Sequence, residues 1–296
     1  MLVHSSEQAV QPNRVVILGA SGVIGRVLTP YLTDRGISVV ELGSADVDLL
    51  DPDVVAHLAT LLRDNDAIVV LAGIPPRQGR DLATMVRNIK MAAHICAALA
   101  RRPVAHVIYM SSDAVYPRSV EEVSEASHVA PTDPYSAMHL VREDLFGRLA
   151  RAPVAILRST QICAVHDTHD AYGPNRFLRT AKQDNKVVLF GRDEETRDHI
   201  MVEDVAAVIH DCLVHRSRGV LNVATGHSPS FAEVARIVAE QFDPLPAVLY
   251  APRQLPVTHR KFDVSAMTSA FPAITCASLE RGVTRIMQQT VAANER

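Results

Sequence analysis

Four apolar residues, Val15 to Leu18, run straight into Gly19-Ala20-Ser21-Gly22-Val23-Ile24-Gly25, and an amphipathic stretch from Gly22 to Asp34 follows at once. No other feature narrows the fold as much. A short apolar run ending in glycine reads as a buried strand, and the spaced glycines permit a tight turn and close backbone approach. The helix that opens next exposes N–H groups suited to a pyrophosphate. Gly19, Ser21, Gly22, Val23, Ile24 and Gly25 are therefore candidate dinucleotide contacts, the alternative being an ordinary structural turn.

The same alternation of apolar run and amphipathic stretch continues through the first half. Ile37 to Leu42 reads as a second strand, a third begins near Asp48, and Ala67 to Ala72, Val104 to Met110 and Val154 to Leu157 follow as fourth to sixth. Pro52 to Arg63 and Leu82 to Ala100 read as intervening helices, the second with Leu82, Met85, Val86, Ile89, Ile95 and Leu99 along one side. Parallel strands joined by crossover helices predict an α/β protein with a doubly wound parallel sheet, a Rossmann fold. From Gln161 to Lys186 the chain turns polar and the rhythm breaks. Strand-like Val187 to Phe190 and Val220 to Val223, and helices Val202 to His215 and Ser230 to Phe242, complete the reading. The expected division is a dinucleotide-binding domain over 1–160, with 187–225 returning to it, and a smaller substrate lobe from 161–186 and 226–296.

A chain of 296 residues that is 48% hydrophobic and 21% charged has a full core. Its net charge of −3 argues against nucleic acid or an anionic membrane surface as partner. No apolar run approaches the roughly 18 residues of a membrane span, and the opening residues lack signal-peptide order. Cys96, Cys163, Cys212 and Cys276 are far apart and suit a reducing compartment, so a cytoplasmic location is expected. Of the 30 basic residues only Lys90, Lys182, Lys186 and Lys261 are lysines.

The spacing G-x-x-G-x-x-G resembles that of the extended short-chain dehydrogenase/reductases, in particular the NAD-dependent epimerase/dehydratase family. Asp48-Leu49 resembles the pair that holds the adenine ring, Leu71-Ala72-Gly73 the small-residue loop after a central strand, and Asn88 an asparagine of the next helix. Asp48 reads equally as a turn carboxylate. Ser111-Ser112-Asp113-Ala114-Val115-Tyr116 resembles the family's S-[ST]-x-x-V-Y segment, and Tyr135-Ser136-Ala137-Met138-His139 its Tyr-x-x-x-Lys. The resemblance makes Tyr135 and Ser112 catalytic, with Ser111, Tyr135 and position 139 also at the cofactor. A phenol with an ordinary pKa near 10 needs a neighbouring cation to act as a base near neutrality, and positions i and i+4 share a helix face.

Position 139 is His, which is shorter than Lys and only partly cationic near neutral pH. Three readings stay open: Tyr135 catalyses with His139 as a weaker activator, catalysis is altered, or the protein binds cofactor without turnover. Ala114 is not acidic, so elimination of water is less favoured than epimerisation or carbonyl reduction.

In the second half, Arg158-Ser159-Thr160-Gln161 resembles Arg-x-x-Asn, Arg197 to Asp204 resembles R-D-[FY]-[IV]-x-V-x-D, and Asn222 fits a further segment. The resemblance implies Asp113, Gln161 and Arg197 as substrate contacts, Arg197 at a diphosphate; its alternative is an ion pair with Glu194 or Glu195. Asn175 and Arg176 face the substrate or simply open a helix. His166-Asp167-Thr168-His169-Asp170 reads as a polar substrate-side loop rather than a metal site, and no metal is expected. Glu41, Asp46 and Asp48, with no Arg or Lys between 36 and 62, disfavour a 2′-phosphate, so NAD is preferred to NADP, which stays the alternative. The family resemblance implies a nucleotide-sugar substrate, epimerisation first and 4-keto reduction second, and a homodimer through the helices Leu82 to Ala100 and Tyr135 to Ala150. The competing class is a non-catalytic NAD-binding protein with a ligand-sensing or assembly role.

Overall fold

The computed structural model describes residues 1–294 other than 150, 166, 168, 169, 193 and 255. The chain runs β1 (Arg14–Leu18), α1 (Val23–Thr33), β2 (Val39–Leu42), α2 (Val54–Leu61), β3 (Asp66–Val70), α3 (Leu82–Arg101), β4 (His106–Ser112), β5 (Glu122–Val123), α4 (Pro134–Gly147) and β6 (Val154–Ser159). It continues through β7 (Gln161–Cys163), α5 (Pro174–Asp184), β8 (Lys186–Phe190), β9 (His199–Met201), α6 (Val202–Val214), β10 (Gly219–Val223), α7 (Phe231–Ala239), β11 (Ala247–Ala251), β12 (Lys261–Phe262), α8 (Ser265–Ala270) and α9 (Leu279–Asn294).

Six strands form one parallel sheet in the order β10-β6-β4-β3-β1-β2. The continuous apolar runs are explained by burial on both faces. Val15 and Ile17 of β1 join Val69, Ile108 and Leu157 in a core closed by α1 and α6. Val16 and Leu18 point the other way, with Ile68, Val70, Val107 and Ile156, into a core closed by α2, α3 and α4. Each such side chain contributes about 1.5–3 kcal/mol. The doubly wound expectation thus holds, and the order reverses between β1 and β3, where a ligand crevice forms beyond the strand ends.

The third strand expected near Asp48 does not form. Three aspartates capture nearby backbone N–H groups instead: Asp46 that of Gly43 at 2.8 Å, Asp48 that of Leu50 at 2.9 Å and Asp51 that of Asp53 at 2.8 Å. Such local turns compete with a strand ladder. Val47 and Leu49 still bury their side chains beneath α2 and α3, which is why the segment looks strand-like.

The break expected after 160 holds a short strand and a helix, β7 and α5. Pro174 opens α5 at its first turn, and Phe177, Leu178 and Ala181 supply a narrow buried stripe on an otherwise polar helix. Within 187–225, β10 joins the main sheet and α6 packs over it, whereas β8 pairs with β11 apart from it. A further core gathers Phe177 and Leu178 with Val187, Leu189, Phe231, Val234 and Val283. Among the described residues no helix is long and apolar enough to cross a membrane, and all four cysteines are free thiols.

Candidate functional site

The parallel strands end on one edge of the sheet, beside the glycine turn after β1 and the 71–73 loop after β3. Gly19 leaves β1 with φ of +92°, and a Cβ on it would sit 2.7 Å from the amide nitrogen of Ala72. Gly25 lies equally close to backbone, since its Cβ would come 2.4 Å from the carbonyl oxygen of Ala20. The turn therefore packs backbone against backbone beside the 71–73 loop. Gly22 caps α1 without a side-chain bond, so the first-turn N–H groups around Val23 and Ile24 meet no capping oxygen. An uncapped helix N-terminus behind a glycine turn fits an anionic pyrophosphate.

Ser21 lies exposed in the turn, and Asp46 folds back on Gly43 so that the Asp46 carboxylate and the Ser21 hydroxyl both stand 3.5 Å from where a Gly43 Cβ would be. Asp48 is exposed in its own turn and Leu49 is buried. On the far side, Asn88 is buried in α3 and pins the loop after Leu71, Ala72 and Gly73. Its Oδ1 accepts from the N–H of Ile74 at 2.8 Å, and its amide donates to the carbonyls of Thr84 at 3.2 Å and Ile74 at 3.3 Å.

Asp133 and Ser136 cap α4 reciprocally and Pro134 takes its first turn, which fixes Tyr135 at the helix entrance. The phenol faces the end of β4. Burial pushes it up to about 12, while the nearby Ser112 hydroxyl favours its ionised form. Ser112 also accepts from the N–H of Ala114 at 3.2 Å. His139 meets Tyr135 edge to face at 4.8 Å and shares a 2.8 Å hydrogen bond between its Nδ1 and the buried Tyr109 hydroxyl. Ser111 turns its hydroxyl toward α4. Its hydroxyl donates at 2.5 Å to Glu143, which binds Arg158 through both carboxylate oxygens at 2.6 and 3.0 Å. Arg158 then reaches Tyr116, whose hydroxyl donates to Asn222 at 2.8 Å.

The substrate-side candidates spread wider. Asp113 pairs with Arg260 at 3.3 Å, and burial raises its carboxyl despite that cation and the Arg197 charge. Arg197 forms the ion pair with Glu195 and also donates to the Thr258 hydroxyl at 2.7 Å; burial lowers its guanidinium. Gln161 sits on β7 and donates to the Tyr172 carbonyl at 2.8 Å. Asn175 spends both ends of its amide on backbone, at Ile162 and Ala164, and Arg176 is exposed in the first turn of α5. His166, Thr168 and His169 lie outside the described residues; Asp170 binds Arg179 at 2.8 Å. Among the described residues no cluster of His, Cys, Asp or Glu is placed to hold a metal.

Glu195 was foreseen as an ion-pair partner of Arg197, whereas Arg260, Thr258, Glu143 and Arg142 were not singled out by sequence reasoning. Glu143 carried a signal, one helical turn beyond His139. Arg260 carried none, since it meets Asp113 across 147 residues of chain.

The NAD dependent epimerase/dehydratase family matches residues 15–224, well over half of the chain. The chain belongs to this family. A dTDP-L-rhamnose 4-epimerase of Burkholderia thailandensis is 27% identical over 171 residues, 52% of this chain and only 45% of that protein, so the chain matches less than half of that relative's length. MoeE5, solved in complex with UDP-glucuronic acid and NAD, shares the fold at a TM-score of 0.80 and 23% identity, covering 94% of this chain and 99% of that one. RMD from Pseudomonas aeruginosa, solved with NADPH, does so at 0.82 and 22% over 93% and 98%. At such identities the likeness is one of fold. NAD is the cofactor of the epimerase/dehydratase family, and the glycine turn of this member has the uncapped, close-packed geometry that such a cofactor requires.

Proposed function

We propose that this epimerase/dehydratase family member modifies a nucleotide-linked sugar by reversible hydride transfer, with epimerisation as the reaction and 4-keto reduction as the second assignment. The observation that carries this reading is the placing of the Tyr135 phenol, at the capped entrance of α4, beside Ser112 at the end of β4. When bound, the nicotinamide supplies a two-electron acceptor and donor of hydride. Tyr135 takes the proton of the sugar hydroxyl as its carbon becomes a carbonyl, and returns it on reduction. Ser112 donates a hydrogen bond to the same oxygen. Arg197 and Arg260, two cations beside Asp113, suit the anionic diphosphate. Asp46 beside Ser21 favours ribose hydroxyls over a 2′-phosphate.

One observation favours the alternative of an NAD-binding protein without turnover. His139 spends Nδ1 on Tyr109, an arrangement that ties the ring to the core. Denaturing extraction of the purified protein with mass spectrometry of released ligands separates the readings. NAD with a sugar nucleotide, and turnover of that sugar, is the expected result; NAD alone, with no turnover across a nucleotide-sugar panel, overturns the enzymatic assignment.

The helices α3 and α4 pack side by side and leave Leu82, Val86 and Val141 exposed at 66%, 59% and 39%. These support a homodimer through that face. Light scattering is expected to give twice the 32.2 kDa chain mass, and a monomer at working concentration rejects it.

A further inference from the structure

Arg142 is 2% exposed, two helical turns after Tyr135 and three residues after His139, on the same stripe of α4. Its Nη2 donates to the carbonyl of Ala72 at 2.7 Å, its Nη1 reaches Asn88 at 3.5 Å and Met138 sulfur at 3.8 Å, and its guanidinium carbon lies 5.0 Å from the centre of the Tyr109 ring. Its Nε is buried and makes no hydrogen bond. Among the described residues no carboxylate pairs with it; the adjacent Glu143 is turned to Arg158 and Ser111. Burying a cation without a counter-ion is costly, and such costs cluster at functional sites. A Cβ on Gly73 would stand 3.1 Å from Nη1, so the charge lies directly behind the loop that faces the glycine turn.

We propose that Arg142 is a positioning residue that supplies the fixed positive charge favouring ionisation of Tyr135, the part a lysine at position 139 would otherwise play. The proposal rests on Tyr135 being the acid/base of the preceding section. Charged and titratable groups face Tyr135 from each element around it: Tyr109 and Ser112 from β4, Asp113 from the turn after β4, Arg80 from the loop before α3, and His139 and Arg142 from α4 itself. Asp113 opposes ionisation. Arg80 favours it but is exposed, so salt and water screen it. Arg142 is enclosed, permanently charged and not neutralised by a carboxylate. A cation favours the phenolate, so removing it moves the Tyr135 midpoint upward.

The test needs no substrate. The chain has six Tyr and no Trp, so tyrosinate absorbance is free of indole overlap. Alkaline titration of the NAD-loaded full chain, minus the same titration of Tyr135→Phe, isolates the Tyr135 step. Arg142→Gln is expected to raise that midpoint by about one pH unit or more, Arg142→Lys to restore it, and His139→Gln to move it less. Near-ultraviolet circular dichroism and NAD affinity report folding, and Arg142→Met, which keeps the bulk, replaces the Gln variant if that variant unfolds. An unmoved midpoint in the folded Gln or Met variant overturns the proposal, as does a wild-type phenol that stays protonated up to alkaline unfolding. Because turnover is not read, a shifted midpoint in a protein inert toward every nucleotide sugar would fault the functional assignment and leave the role of Arg142 standing.

Discussion

Tyr135→Phe is expected to lower kcat by about a thousandfold while leaving NAD affinity within a few fold. The substitution removes one oxygen and nothing else that holds the site together. The ring keeps its edge contact with His139 at 4.8 Å, and the α4 cap rests on Asp133 and Ser136. Only the proton carrier is lost. Burial pushes the phenol up to about 12 in the cofactor-free chain, so the ionised base is scarce near neutrality and the rate should rise with pH toward that limit. The mutant should lose this rise, because the group that titrates is gone. Steady-state turnover of the extracted sugar nucleotide and calorimetric NAD titration check both halves; an unchanged kcat removes Tyr135 from the chemistry.

Glu143→Ala is expected to destabilise the fold by about 3–5 kcal/mol, the largest loss among the substitutions considered. The Glu143 and Arg158 side chains are 6% and 7% exposed and meet through two hydrogen bonds, with Ser111 donating a third to the carboxylate. Deleting the acid leaves a guanidinium in the core with Tyr116 as its remaining hydrogen-bond partner. Replacing both partners, as in Glu143→Leu with Arg158→Met, should cost much less than the two single losses summed, because no charge is then stranded. Denaturant unfolding of the two single variants and the double measures this, and a loss below 1 kcal/mol in Glu143→Ala would show that the pair is solvated on demand.

Much of the architecture was legible because its cause is local. A buried strand over Val15 to Leu18, glycine at the turn after it and a helix opening at Tyr135 each follow from a few consecutive residues. The failures have an equally physical origin. Around Asp48 a sequence with strand-like apolar spacing was captured by aspartate side chains, since local hydrogen bonds outcompeted pairing with a neighbour strand. The Ser111 hydroxyl shows a similar limit, because its partner Glu143 lies 32 residues further along the chain, on α4.

The lysine-poor composition and the histidine at 139 were visible from the residues alone, and they defined the chemical question. Which charges stand near Tyr135 was decided by packing. Arg142 reaches the phenol's surroundings because α4 lies against β4 and the 71–73 loop, and Arg260 reaches Asp113 because the chain returns from the far end of the molecule. Sequence by itself determined the parallel sheet and the glycine turn, whose signals lie within a few consecutive residues. The electrostatics of the crevice came only with the tertiary structure, because a charge acts through space and its neighbours lie up to 147 residues away along the chain.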